Sequence, residues 1–101
     1  MKAIEYFDEA EKEVVAALTE SKLLSDRVSR EFQQMIERVI VDIRSGLLTA
    51  AKYPRTECRE YVLQRYPYSV IYIDDPDTIR VVVFAHAKRR RGYWKSRLPR
   101  S

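Results

Sequence analysis

The sequence predicts an α+β fold: an N-terminal strand, an antiparallel helical hairpin packed on a small antiparallel sheet, and a basic C-terminal tail. Three observations predict it. One apolar stripe at helical spacing runs through residues 28–43, residues 60–85 are rich in aromatic and β-branched side chains between turn signals, and residues 78–101 hold eight Lys or Arg and no acid.

In "MKAIEYF", Ala3, Ile4, Tyr6 and Phe7 predict a short strand ending at Asp8, a good helix N-cap that forms a capping-box pattern with Glu11. A first helix follows over residues 9–20. Ala10, Val14, Ala17 and Leu18 recur at helical spacing, and Glu11, Lys12 and Glu13 fall to the solvated side. The short link "SKLLSD" makes the first and second helices an antiparallel hairpin. In the second helix Val28, Phe32, Met35, Ile36, Val39, Ile40 and Ile43 form the stripe, Ser25 or Asp26 caps the start, and Gly46 supplies the stop. After Pro54 the pattern changes period: "EYVLQRY" and "YSVIYI" are separated by Pro67, and "DDPD" turns the chain into "TIRVVVFAHA". Met35, Ile36, Val39, Val70, Tyr72, Val81 and Val83 are the predicted core.

A chain of 101 residues fits one domain spanning 1–101, with a thin stability margin. Its N-terminus has no apolar run followed by a cleavage signal and no segment reaches the roughly 18 to 20 apolar residues of a membrane span, so a cytoplasmic protein without a membrane partner is predicted. Cys58 is the single cysteine and His86 the single histidine, which excludes an intramolecular disulfide and a metal site built on paired cysteines. No metal and no cofactor is predicted.

Charge is divided along the chain. Residues 1–77 carry all 15 acids and 11 of the 19 bases, whereas "FAHAKRRRGYWKSRLPRS" places seven bases around Tyr93 and Trp94. An acid-free run of this density suits an anionic partner, and its aromatic pair suits either contact with that partner or a latch that folds the tail onto the sheet. A non-catalytic nucleic-acid-binding module is one such reading, through phosphate contacts and stacking. The tail has no helix of readable length and no glycine-rich RNA motif to support sequence-specific readout. His86 is either a strand-end residue tied to a backbone carbonyl or a general acid or base.

The stretch "PYSVIYIDDPDTIRVVVFAHAKRRRGYWKSRL" resembles the second half of the RelE/ParE superfamily of toxins from type II toxin–antitoxin systems. The features that carry the resemblance are Pro67-Tyr68 opening a strand, Tyr72 near its end, the run into Ala85-His86, then Arg89 to Arg91, Tyr93-Trp94 and Arg97. "FDEAEKEV" is similar to the start of the family's first helix. The resemblance implies a four-stranded sheet with a helical hairpin, a cognate antitoxin that wraps the toxin in a hetero-oligomer, and growth inhibition or plasmid stabilisation from the cytoplasm.

The family has two branches. One cuts messenger RNA on the ribosome and the other, ParE, inhibits DNA gyrase. A nuclease needs a proton acceptor, a donor to the leaving oxygen and cations on the phosphorane, for which His86, Lys88, Arg89, Arg91 and Tyr93 are the candidates. An arginine common in the nuclease branch is replaced here by Ser69, and a hydroxyl supplies no fixed charge. The resemblance therefore favours the ParE branch, with Arg89, Arg90, Arg91, Tyr93, Trp94 and Arg97 as target-binding residues.

Overall fold

The computed structural model describes residues 1–99, so Arg100 and Ser101 of the predicted tail lie outside the described residues. The chain runs β1 (Ala3–Tyr6), α1 (Asp8–Leu24), α2 (Asp26–Ser45), β2 (Ala51–Lys52), β3 (Cys58–Val62), β4 (Tyr68–Asp74), β5 (Thr78–His86) and a 3₁₀ turn, Lys95–Arg97.

α2 follows its stripe. Phe32, Ile36, Val39, Ile40 and Ile43 are buried, while Met35 is only partly buried at the margin of the cluster. Ser25 Oγ accepts the Val28 N–H at 2.9 Å, and Gly46, at φ 82°, ends the helix in the left-handed region that glycine adopts without Cβ strain. α1 departs from its predicted limits. Phe7, not Asp8, is the N-cap: its N–H donates to Val81 O at 2.9 Å, which keeps it extended, and its carbonyl already accepts from Glu11 N–H at 3.0 Å. Asp8, Glu9 and Glu11 instead occupy the first turn, where their charges meet the positive end of the helix dipole. At its other end α1 continues to Leu24, so the link between the helices is Ser25 alone. Its buried residues are small, Ala10, Ala17 and Ser21, so the helix lies close against its neighbours.

The sheet has five strands in the order β1-β5-β4-β3-β2. It is mixed rather than purely antiparallel: β1 runs parallel to β5, with Tyr6 opposite Val81, and the long intervening chain makes the crossover possible. One strand was not predicted: β2, which pairs Ala51 with Glu60 and Lys52 with Arg59 at the edge. Its approach is held by Ala50, whose N–H donates to Tyr72 Oη at 3.1 Å and whose carbonyl accepts from Arg59 Nη1 at 2.7 Å.

Both faces of the sheet are covered. Val70, Tyr72, Ile79, Val81 and Phe84 pack against the helices, and Tyr53, Cys58, Ile71, Ile73, Val82 and Val83 form a second cluster closed by Trp94. A bulge decides this division. Ile71 faces Val83 and Tyr72 faces Val81, so Val82 is the extra residue and the alternation of β5 reverses beyond it. Val83, predicted to share a core with Val81, is therefore buried on the opposite face, and Phe84 and His86 turn toward the helix side.

Candidate functional site

β5 outruns β1. The last parallel pair is Tyr6 with Val81, so beyond it the outer edge of β5 has polar groups with no neighbouring strand. Two side chains take the place of that strand. Glu13 Oε1 accepts from Phe84 N–H at 3.1 Å, and Arg97 Nη1 donates to Val82 O at 3.1 Å. The same two side chains pair with each other, Nη1 to Oε1 at 2.8 Å and Nη2 to Oε2 at 3.0 Å, and Tyr93 Oη donates to Glu13 Oε2 at 2.6 Å. Only 17% of the Glu13 side chain and 14% of the Arg97 side chain is exposed, so this joint between α1, β5 and the C-terminal segment is largely screened from water.

The electrostatics follow from this geometry. Burial alone would push the Glu13 carboxyl up, but hydrogen bonds from Arg97, Tyr93 and Phe84 N–H, together with the Arg97 charge, hold it below the ordinary value. Burial and the bond to the Glu13 carboxylate push the Tyr93 phenol up to about 12. Near neutrality Tyr93 therefore keeps its proton and donates a hydrogen bond to the Glu13 carboxylate.

The C-terminal segment is folded back rather than loose. Trp94 is 2% exposed and meets Tyr53 edge-on with ring centroids 4.9 Å apart. Gly92, at φ 76°, makes the turn that delivers it, and a Cβ there would also press on the Lys95 stem at 3.3 Å. Backbone bonds brace the loop before this anchor: Ala87 N–H to Pro67 O at 2.8 Å, Arg89 N–H to His86 O at 3.0 Å and Tyr93 N–H to Arg90 O at 3.2 Å.

Residues 88–91 are thus presented on a loop held at both ends. Lys88, Arg89 and Arg90 are exposed and form no ion pair among the described residues. The Arg89 guanidinium lies 3.9 Å from the centroid of the Tyr93 ring. Arg91 is exposed but engaged, 3.3 Å from Glu60 and over the Tyr53 ring at 4.6 Å.

His86 faces Tyr68 edge-on at 4.9 Å, and its Nδ1 accepts from Lys88 N–H at 3.0 Å, so the neutral ring carries its proton on Nε2. The backbone partner is thus an amide donor rather than the carbonyl that a strand-end histidine was expected to find. His86, Arg89 and Tyr93 line one depression of about 270 Å³ together with Glu13, Glu20 and Tyr68. It shares Glu20, Tyr68 and His86 with an apolar groove of about 450 Å³ walled by Leu23, Leu24, Val28, Phe32, Tyr66 and Pro67. Leu23 and Leu24 are 83% and 79% exposed. Ser69 stands elsewhere. In β4 it alternates with the helix-facing Tyr68 and Val70, and it pairs with Ala85 on the face away from His86.

Glu13 is the residue that the sequence reading missed by assigning it to the solvated side. A signal for it exists: Ala10, Glu13 and Ala17 are spaced as one helix face, the face that is buried. Among the described residues no cluster of three His, Cys, Asp or Glu side chains is placed to hold a metal ion, and no helix is long and apolar enough to cross a membrane.

No protein-family model matches this chain, and no curated protein matches its sequence. A solved structure, described as the chromosomal ParDE TA system from P. aeruginosa, contains a chain similar to it with a TM-score of 0.73 at 13% identity, over 87% of this chain and 98% of that one. The likeness is one of fold, an α+β arrangement of an N-terminal strand, a helical hairpin and a sheet.

Proposed function

We propose that this chain, acting as one domain in the cytoplasm, is the toxin component of a type II toxin–antitoxin system, neutralised by a cognate antitoxin, and that it inhibits DNA gyrase in the manner of the ParE branch. The observation that carries the reading is the basic loop: Lys88, Arg89 and Arg90 stand exposed on a braced turn, free of internal ion pairs among the described residues. Such a loop suits binding to acids or phosphates on a large partner. Arg89, Arg90 and Arg91 meet the target, and Tyr93, Trp94 and Arg97 serve it as the groups that hold the loop. The similarity of the whole fold to a chain of a ParDE system supports the toxin reading.

Two of the candidate nuclease groups are engaged elsewhere: Tyr93 donates to Glu13 with its phenol pushed up to about 12, and Arg91 is paired with Glu60. Ser69 supplies no charge. One observation favours the second reading, a ribosome-dependent messenger RNA endonuclease: His86, Arg89 and Tyr93 line the same depression. The antitoxin, in this reading, seats an amphipathic segment in the apolar groove beside Leu23, Leu24 and Phe32 and carries acids toward Arg89.

A gyrase supercoiling assay run beside a ribosome-dependent cleavage assay tests the choice. Inhibited supercoiling with intact messenger RNA is the expected result. Cleavage that His86→Ala abolishes, with supercoiling untouched, would replace gyrase by the ribosome.

A further inference from the structure

We propose that Glu13 is the positioning residue of the basic loop, fixing where the Arg89 charge stands by orienting the Tyr93 ring. This rests on the reading of residues 88–91 as the target-binding surface. Trp94 sets the depth of the segment, but an aromatic ring in an apolar pocket is held by contact, which constrains direction weakly. Direction comes from Glu13. Its Oε2 takes the Tyr93 hydroxyl at 2.6 Å, its two oxygens hold the Arg97 fork, and its Oε1 is pinned to β5 by Phe84 N–H. The Tyr93 ring so oriented is the platform on which the Arg89 guanidinium rests at 3.9 Å, with Arg97 at 5.4 Å from the same centroid. An acid from the second turn of α1 thereby determines the location of a cation with which it forms no ion pair.

Positioning and plain electrostatics predict opposite signs. Glu13→Gln removes a negative charge close to the loop, so charge alone would tighten binding of any polyanion. Loss of positioning would weaken it, because Arg89 must then be ordered on binding.

The experiment measures binding of the full chain to a short DNA duplex, used as a polyanion probe, together with hydrogen exchange of the amides in residues 88–93. Glu13→Gln is expected to weaken binding by about threefold, the size of one exposed cation–π contact, and to speed loop exchange by about tenfold. Arg97→Lys keeps the charge but loses the fork, is expected to move both readouts in the same direction, and serves if Glu13→Gln does not fold. Glu37→Gln, on the exposed face of α2, controls for charge and should leave loop exchange unchanged. Tighter binding by Glu13→Gln, or unchanged loop exchange in both clamp variants, overturns the proposal. Growth arrest on induction of the parent is scored separately. A harmless parent whose loop loosens in Glu13→Gln sinks the toxin reading and leaves the positioning role standing, whereas a toxic parent with an unmoved loop does the reverse.

Discussion

Glu13 and Arg97, 84 residues apart in sequence, share two hydrogen bonds of 2.8 and 3.0 Å at the place where β5 outruns β1. Each also bonds the exposed edge of that strand, so the pair does the work of a missing neighbour as well as closing the C-terminal segment over the sheet. Removing one partner leaves the other charge in a site with little access to water. Glu13→Ala or Arg97→Ala is therefore expected to cost about 3 kcal/mol, a large share of the stability of a domain this size. In a double-mutant cycle by urea unfolding, the two losses should fall well short of adding. Additive losses would show that the pair is not a unit.

The same joint gives a pH dependence of known sign. The Glu13 carboxyl is lowered in the folded state, so its contribution is complete above the ordinary carboxylate value and is lost as pH falls through the lowered one. Tyr93 is raised from 10.0 to about 12, so its contribution is complete below 10.0 and is lost as pH climbs toward 12. Urea midpoints measured across pH should therefore drop at both ends. Glu13→Gln should flatten the acid limb. Tyr93→Phe should remove only part of the alkaline one, because burial also raises Tyr6, Tyr68 and Tyr72.

Phe32 is the point at which α2 meets the sheet. It is 2% exposed, stacks on Tyr66 with centroids 4.5 Å apart and touches the Tyr68 and Phe84 rings. Phe32→Asp places an unpaired charge in this cluster and is expected to abolish cooperative thermal unfolding. A variant that melts like the parent would remove this helix face from the core.

The loop cations separate function from fold. Arg89→Ala with Arg90→Ala should relieve growth inhibition while the urea midpoint stays close to that of the parent, since neither residue is buried or ion-paired among the described residues. Arg91→Ala should cost a few tenths of a kcal/mol more, through its partly exposed pair with Glu60. His86→Ala should leave growth inhibition in place. Loss of toxicity in His86→Ala, with the arginine variants still toxic, would move the site from the loop to the depression beside it.

The sequence by itself determined most of what depends on near neighbours along the chain, although it placed the α1 cap at Asp8 instead of Phe7 and ended that helix at residue 20 instead of Leu24. The stripe from Val28 to Ile43, the Ser25 cap, the Gly46 stop and the strands around Pro67 and Asp77 were legible because periodicity, caps and turns are properties of a few consecutive residues. The C-terminal basic run was equally plain, as was the option of Tyr93 and Trp94 as a latch. What only the tertiary structure decided depends on residues far apart. The parallel placement of β1 on β5, the bulge at Val82 that puts Val82 and Val83 on one face and returns Phe84 to the helix side, and the capture of Glu13 by Arg97 each require knowing which strand ends where against which neighbour. An acid beside Glu11 and Lys12 reads locally as solvated. Its burial is set by an arginine fork, a phenol and one open amide of β5, three partners that only the folded chain brings together.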